Sequence, residues 1–281
     1  MPLQLNYLKA SFNILPAAAE APALHLLVES GDHGISLLWY TKSPFAVKGL
    51  SAFTHVGRDP AAETGQILDN LHDYLHNLLS VTILYDVKES MLVPAAFHHE
   101  SSSGEMLDLF HGKQLTDTVI QQEALRKSAI YNHYRINKKL DLLLKERFPS
   151  ARFFHSSSLQ AEFGKPGNPV LHAIFFQDAV KLILFSEGRL QIIQTFAYQS
   201  PADVLYHLVN VCEQYAVKTD IVKLQLSGMI NEGSALYKEI YPYFLKIGFD
   251  SLPADTIVAD GINELPGHLF SHLTSLATCV S

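Results

Sequence analysis

The sequence predicts a duplicated, two-lobed α/β fold, and three observations predict it. Each half carries three apolar strand patterns, then an amphipathic helix that starts on a proline, then a short fourth strand. The spacing is the same in both halves: Pro60 to Val81 is 81 − 60 = 21 positions, and Pro201 to Val222 is 222 − 201 = 21. Between the halves, Gly164-Lys165-Pro166-Gly167-Asn168-Pro169 sets two prolines and two glycines in a row of six, which stops a helix and favours turns. The expected organisation is a first lobe over 1–163, a linker over 164–169 and a second lobe over 170–281.

In the first half, Ala23 to Glu29 and Gly34 to Thr41 read as strands joined by Ser30-Gly31-Asp32-His33, and a third follows at Val47 to Val56. All three are apolar on both alternating sets, as a sheet covered on both faces requires. Asp59 suits an N-cap and Pro60 the first helical position, where a missing N–H costs nothing. Ile67, Leu68, Leu71, Tyr74, Leu75, Leu78 and Leu79 then share one helical face. The strand Val81 to Tyr85 closes the unit. In the second half, Pro169 to Phe176, Ala179 to Ser186 and Arg189 to Ala197 are the three strands, Ser200-Pro201 starts the helix, and Val222 to Leu226 is the closing strand. The shared order argues for two copies of one unit; the competing reading is chance likeness among α/β strings. Further helical stripes run through Ile136, Leu140, Leu143, Leu144 and Phe148, through Leu236, Ile240, Phe244 and Ile247 up to Gly248, and from Pro266 to Leu276. Leu92 to Leu115, with Ser101-Ser102-Ser103-Gly104, reads as an insertion or flexible surface.

Composition limits the function. Of 281 residues, 48% are hydrophobic and 17% charged, the balance of a folded globular protein. The net charge of −7 does not favour a phosphate backbone, so no nucleic-acid partner is expected. Cys212 and Cys279 lie far apart and offer no disulfide framework. Met1 to Tyr7 lacks the basic start and apolar core of a signal peptide, and no apolar run approaches the ~18 residues of a spanning helix. These features together predict a cytoplasmic location.

Three strands, a helix, a fourth strand and another helix, occurring twice, resemble the actin-like ATPase fold (ribonuclease H-like), which implies two lobes each with a mixed five-stranded sheet flanked by helices. At whole-chain level the sequence is also similar to a bacterial family defined only as a domain of unknown function, whose members have that fold. The likeness is carried by the layout, by His172-Ala173-Ile174-Phe175-Phe176-Gln177-Asp178 with Val180 to Phe185 after it, and by Leu224-Gln225-Leu226-Ser227-Gly228. It implies kinship with actin-like pilus-assembly proteins, which use the fold to hold partner proteins. It also implies an ATP site, with each lobe's first hairpin wrapping phosphate and a glycine-rich turn in lobe two meeting adenine.

Onto this sequence the implied site falls unevenly. The first hairpin, Glu29-Ser30-Gly31-Asp32-His33-Gly34, keeps an acid and two glycines, though such sequences are also ordinary turns. The second, Phe176-Gln177-Asp178-Ala179-Val180, has no glycine, and a Cβ at each position blocks the close backbone approach that a pyrophosphate needs. The adenine turn keeps Gly228 but has Met229 where a second glycine is expected, and Ser234 reads equally as a helix cap. Asp86 either orients water or magnesium or is a solvent-exposed acid ending a strand. The candidate nucleotide residues are therefore Ser30, Gly31, Asp32, Gly34, Asp178 and Gly228.

Other chemistry is weaker. His98 and His99 diverge in a strand or a helix, so His98-His99-Glu100 does not form a ready metal cluster. His72 and His76, four apart on the first expected helix, have chelating spacing, yet that helix needs a polar face and Asp69, Asp73 and Asn77 share it. Ser156-Ser157-Ser158 reads as the cap of a short helix. Tyr237, Tyr241 and Tyr243 read as a tyrosine surface suited to a protein interface, or as helical packing. The sequence thus supports a non-catalytic scaffold that binds a partner protein or itself and assigns it no cofactor. The alternative is an ATP-binding switch or weak ATPase using ATP and magnesium.

Overall fold

The computed structural model describes residues 9–17, 23–57, 59–114, 117–125 and 128–280. The chain divides into two compact units: Met1–Gln160 with Asp255–Ile262 and Leu276–Ser281, and Ala161–Ala254 with Asn263–Ser275. Two stretches of the range expected for the second lobe, 255–262 and 276–281, thus group with the first unit.

The first unit is built on a seven-stranded sheet. Its strands are β1 (Lys9–Ile14), β2 (His25–Gly31), β3 (Gly34–Lys42), β4 (Phe45–Thr54), β5 (Ser80–Asp86), β9 (Arg152–His155) and β15 (Ile257–Val258). The order is β1-β4-β3-β2-β5-β9, with β15 also on β4. Strands β2, β5 and β9 run parallel, and β2, β3 and β4 form an antiparallel meander. Five strands were expected; β1 and β15 add to the edge of β4, where unpaired backbone groups would otherwise face water. An inserted antiparallel sheet of β6 (Ser90–Pro94), β7 (Thr118–Ala124) and β8 (Ile130–Asn137) has the order β6-β8-β7. The helices are α1 (Pro60–Asn70), α2 (Ser103–His111), α3 (Lys138–Arg147) and α4 (Ser156–Gln160).

The second unit has five strands, β10 (Val170–Phe175), β11 (Ala179–Ser186), β12 (Arg189–Ala197), β13 (Lys223–Gly228) and β14 (Lys246–Phe249), ordered β12-β11-β10-β13-β14. Its helices are α5 (Pro201–Gln214) and α6 (Ala235–Ile240), and α7 (Ser271–Cys279) follows. The order β4-β3-β2-β5-β9 in the first unit has the same connectivity, so the duplication is real at the level of topology.

Local chemistry explains the helix starts. Asp59 accepts a bond from Ala62 N, and Ser200 with Asp203 forms a reciprocal capping box ahead of Pro201. Two separate cores follow from the apolar faces. Leu26, Val28, Trp39, Ile67, Leu68, Ile83 and Leu144 pack in the first, and Leu171, Leu182, Val204, Leu208, Cys212 and Leu224 in the second. Burial pushes the Cys212 thiol up to about 11, which keeps it a neutral core side chain.

Several expectations need correction. Helix α1 stops at Asn70, and Leu75 and Leu78 pack on the core from irregular backbone while Leu79 stands exposed. Ile136 lies in β8, because Asn137 caps the next helix by accepting from Lys139 N and Leu140 N. Ile247 and Gly248 lie in β14, not in a helix. Within the segment expected to be an insertion or flexible, residues 92–114 hold the end of β6 and all of α2; residue 115, like Met1 to Tyr7, lies outside the described residues.

Candidate functional site

The β2–β3 hairpin carries four of the six candidate residues. Ser30 and Gly31 end β2, and Gly34 begins β3. Gly31 sits opposite Asp86 in the parallel ladder, and a Cβ on it would overlap the Asp86 carbonyl. A Cβ on Gly34 would overlap the Phe53 carbonyl of β4. Both glycines are therefore required by neighbouring strands. Asp32 turns back on its own unit: its Oδ2 accepts from Lys88 N at 2.8 Å, and its N–H donates to Asp86 O at 3.4 Å. Ser30 Oγ is fully buried and has no hydrogen-bond partner among the described residues.

Beside this turn lies a recess of about 230 Å³, lined by Gly31, Asp32, Lys88, Glu89, Arg135 and Asn137 among others. The buried Arg135 guanidinium is held by Asp108 Oδ1 at 2.9 Å, by the Gly112 carbonyl at 3.2 Å and, more loosely, by Glu89 at 3.5 Å. The lining thus sets two carboxylates, Asp32 and Glu89, against two cations, Lys88 and Arg135, and Asp108 outside it already pairs with Arg135. A triphosphate entering here would meet no net positive charge, because Arg135 is already neutralised by Glu89 and Asp108. The recess fits a nucleotide tail poorly. Neither Arg135 nor Glu89 was singled out from sequence; the one signal was that Arg135 falls in one alternating set with His133 and Asn137 along β8.

In the second unit the turn at Asp178 is closed by backbone bonds and by the Tyr198 hydroxyl. Phe176 N–H donates to Ala179 O, Tyr198 N–H to Asp178 O, and the Tyr198 hydroxyl lies at 2.9 Å from Phe176 O and 3.2 Å from Gln177 O. Burial, then the Asp178 charge, raises the Tyr198 phenol, which keeps it a donor. Gly228 ends β13 with φ 77°, and a Cβ there would overlap the Phe175 carbonyl. Met229, 44% exposed, follows it. Ser234 caps α6, accepting from Tyr237 N.

Asp86 is not the exposed acid that one sequence reading allowed. It is buried, and its Oδ1 accepts from Ser156 Oγ at 2.6 Å. The three serines do not precede α4 as a cap but form its buried first turn: Ser158 Oγ donates to Glu123 Oε2 and accepts from Asn132 Nδ2, both at 3.0 Å. His98 stacks on Tyr131 with ring centres 3.7 Å apart and lies 2.8 Å from His133 Nε2. His72 and His76 approach through their Nε2 atoms at 2.8 Å. Among the described residues no three His, Cys, Asp or Glu side chains converge as a metal site would require.

The expected tyrosine surface is present in part. Tyr241 and Tyr243 are 58% and 53% exposed, while Tyr237 stacks between Tyr241 and Phe249. Tyr243 borders a groove of about 400 Å³ along α5, whose floor is Leu205 and Val209 and whose lip is Tyr206. Glu213 is the charged residue in its lining. Among the described residues no helix is long and apolar enough to cross a membrane.

Comparison with known proteins agrees with this architecture. A Bacteroides thetaiotaomicron protein with actin-like ATPase fold and unknown function superposes with a TM-score of 0.73 at 18% identity, covering 94% of this chain and 99% of that one. PilM–PilN, a type IV pilus biogenesis complex, gives 0.60 at 10% identity over 91% and 97%. The ethanolamine utilization protein EutJ from Carboxydothermus hydrogenoformans gives 0.50 at 10% over 94% and 92%. At these identities the likeness is one of fold. No curated protein matches the chain. The family profile described as "Protein of unknown function (DUF3822)" matches residues 19–247, and with the actin-like topology of both units the chain belongs to that family.

Proposed function

We propose that this chain is a non-catalytic, protein-binding module of the actin-like fold, working in the cytoplasm. One observation carries the reading: the positions that would cradle phosphate are taken up by the protein itself. At the phosphate positions Asp86 O closes on Gly31 and the Tyr198 hydroxyl lies against the Phe176 and Gln177 carbonyls of the turn at Asp178; at the adenine turn Phe175 O closes on Gly228. The α5 groove supplies the surface. Its lining is apolar apart from Asn210 and Glu213, and the chain carries net charge −7. These features favour a partner segment that inserts an apolar side chain beside Leu205 and Val209 and sets a lysine or arginine against Glu213. The fold relative PilM, found in a complex with PilN, supports a role in protein assembly. Two cysteines that form no disulfide, Cys212 and Cys279, agree with a reducing compartment.

The test is thermal unfolding with ATP and magnesium, matched to a run without magnesium. A true ligand at 100 times its dissociation constant stabilises by about 2.7 kcal/mol, and no rise up to millimolar ATP is expected. A magnesium-dependent rise, or ATP turnover, overturns the reading. A second reading, an ATP-binding switch with magnesium near Asp32 or Asp178, draws on the recess beside Asp32 and the unpartnered hydroxyl of Ser30. It requires the same rise, abolished in Asp32→Asn.

A further inference from the structure

At the amino ends of β13 and β14 the second unit places two lysines around a recess that, among the described residues, no carboxylate lines. Val170, Lys223 and Lys246 are in register across β10, β13 and β14. Register partners on parallel neighbours point to the same face, about 4.8 Å apart. Lys223 and Lys246 therefore stand side by side, on the face opposite the core residues Leu224 and Leu226. Like charges so placed repel. Lys165, from the glycine- and proline-rich segment before β10, joins them around one recess of about 500 Å³.

Apart from Asn168, the rest of the recess is apolar or bare. Val170 and Ile221 line it, and Gly248, two positions after Lys246 on the same face, would have open space around a Cβ. Lys246 Nζ is steadied at the edge by the Ile221 carbonyl at 3.3 Å. Among the described residues no carboxylate lines the recess. Asp250, the next acid along β14's face, lies outside that lining, and its Oδ1 accepts from Ser251 N at 3.0 Å and from Gln225 Nε2 at 3.4 Å. The volume lies within the range of small-molecule sites.

We infer that this recess binds a phosphate monoester carried on an apolar body. The charge balance selects the head group: a carboxylate offsets one lysine, whereas a phosphate monoester carries about −1.5 to −2 at pH 7 and three acceptor oxygens. The apolar lining selects the body. The site is at the opposite end of β13 from Gly228, so it is separate from the turn expected to meet adenine.

The experiment is calorimetric titration of the full chain with hexyl phosphate, with inorganic phosphate, hexanoate and hexanol as comparisons. Hexyl phosphate is expected to bind most tightly, and Lys223→Gln and Lys246→Gln each to weaken it about tenfold, the loss of one charge-assisted bond. Binding no tighter than hexanol, or unchanged in both variants, overturns the inference. The variants separate this from a structural role: without ligand, removing one of two repelling cations leaves the melting temperature unchanged or higher. A lower one would mark the lysines as structural and sink the proposal. Sedimentation with phosphatidylcholine vesicles, with and without phosphatidate, then identifies the source. Co-sedimentation only with phosphatidate assigns a lipid head group; none, alongside hexyl phosphate binding, assigns a soluble phosphate ester.

Discussion

Replacing Gly31 by alanine tests whether the hairpin glycine serves the sheet or a ligand. The new Cβ would overlap the Asp86 carbonyl and lie 3.0 Å from Asp86 Cα, all of it backbone. Relief requires β2 and β5 to part at their carboxyl ends. That movement breaks the Asp32 N–H bond to Asp86 O and disturbs the buried Ser156–Asp86 bond. Two hydrogen bonds at about 0.5–1.5 kcal/mol each, with overpacking of about 1–3 kcal/mol, give a loss of about 2–6 kcal/mol. The stiffer unfolded chain returns about 0.4–1 kcal/mol. Gly248→Ala is the control, since nothing lies within 4 Å of its Cβ and only the stabilising contribution applies. Urea unfolding followed by far-UV circular dichroism, without added ligand, measures both. A Gly31→Ala midpoint equal to that of the parent would refute the packing argument and return Gly31 to the list of ligand-binding candidates.

Two further outcomes follow from hydrogen bonds. Tyr85→Phe removes the 2.7 Å bond to buried Asp141 Oδ1 and leaves that carboxylate to Lys145; a loss of about 1–3 kcal/mol in unfolding free energy is expected. Asp203 accepts from Gln199 N and Ser200 N, and these bonds hold its carboxyl below the ordinary 3.8. A lowered folded-state value means the contribution is whole above pH 4 and is lost as pH falls through that value. Asp203→Asn should therefore flatten the acid limb of the stability profile below pH 4 and leave its shape near neutrality unchanged, as read by melting temperature against pH.

Much of the framework was legible because it is local. A capping residue followed by proline announced α1 and α5, and alternating apolar runs announced the two meanders. What escaped was decided by distant partners. The period from Ile136 to Leu140 is helical on paper, yet Asn137 spends its side chain on a cap, and Ile136 stays in a strand paired with Val119. The inserted sheet could not be read because β6 and β8 pair across some forty intervening positions. Asp86 looked like a strand-ending acid; the serine that buries it is seventy positions away. For the candidate site, residue types were visible but not their employment. The hairpin glycines were found, and only coordinates reveal that carbonyls of Asp86 and Phe53 fill the space their missing side chains leave.

The return of residues 255–262 and 276–281 to the first unit bears on how the protein emerges from the ribosome. Strand β15 pairs with β4, and Arg152 donates to the Val280 carbonyl at 2.6 Å, so the first unit is unfinished when Gln160 has been made. From Gln160 to Ile257 is 257 − 160 = 97 positions, and at about 5–20 residues per second the nascent first sheet waits roughly 5–20 seconds with part of the β4 edge open. Severing the chain at the glycine- and proline-rich segment would make that wait permanent. Expression of residues 1–163 alone should then yield a product prone to pairing through β4, whereas supplying 255–281 in trans should cure it.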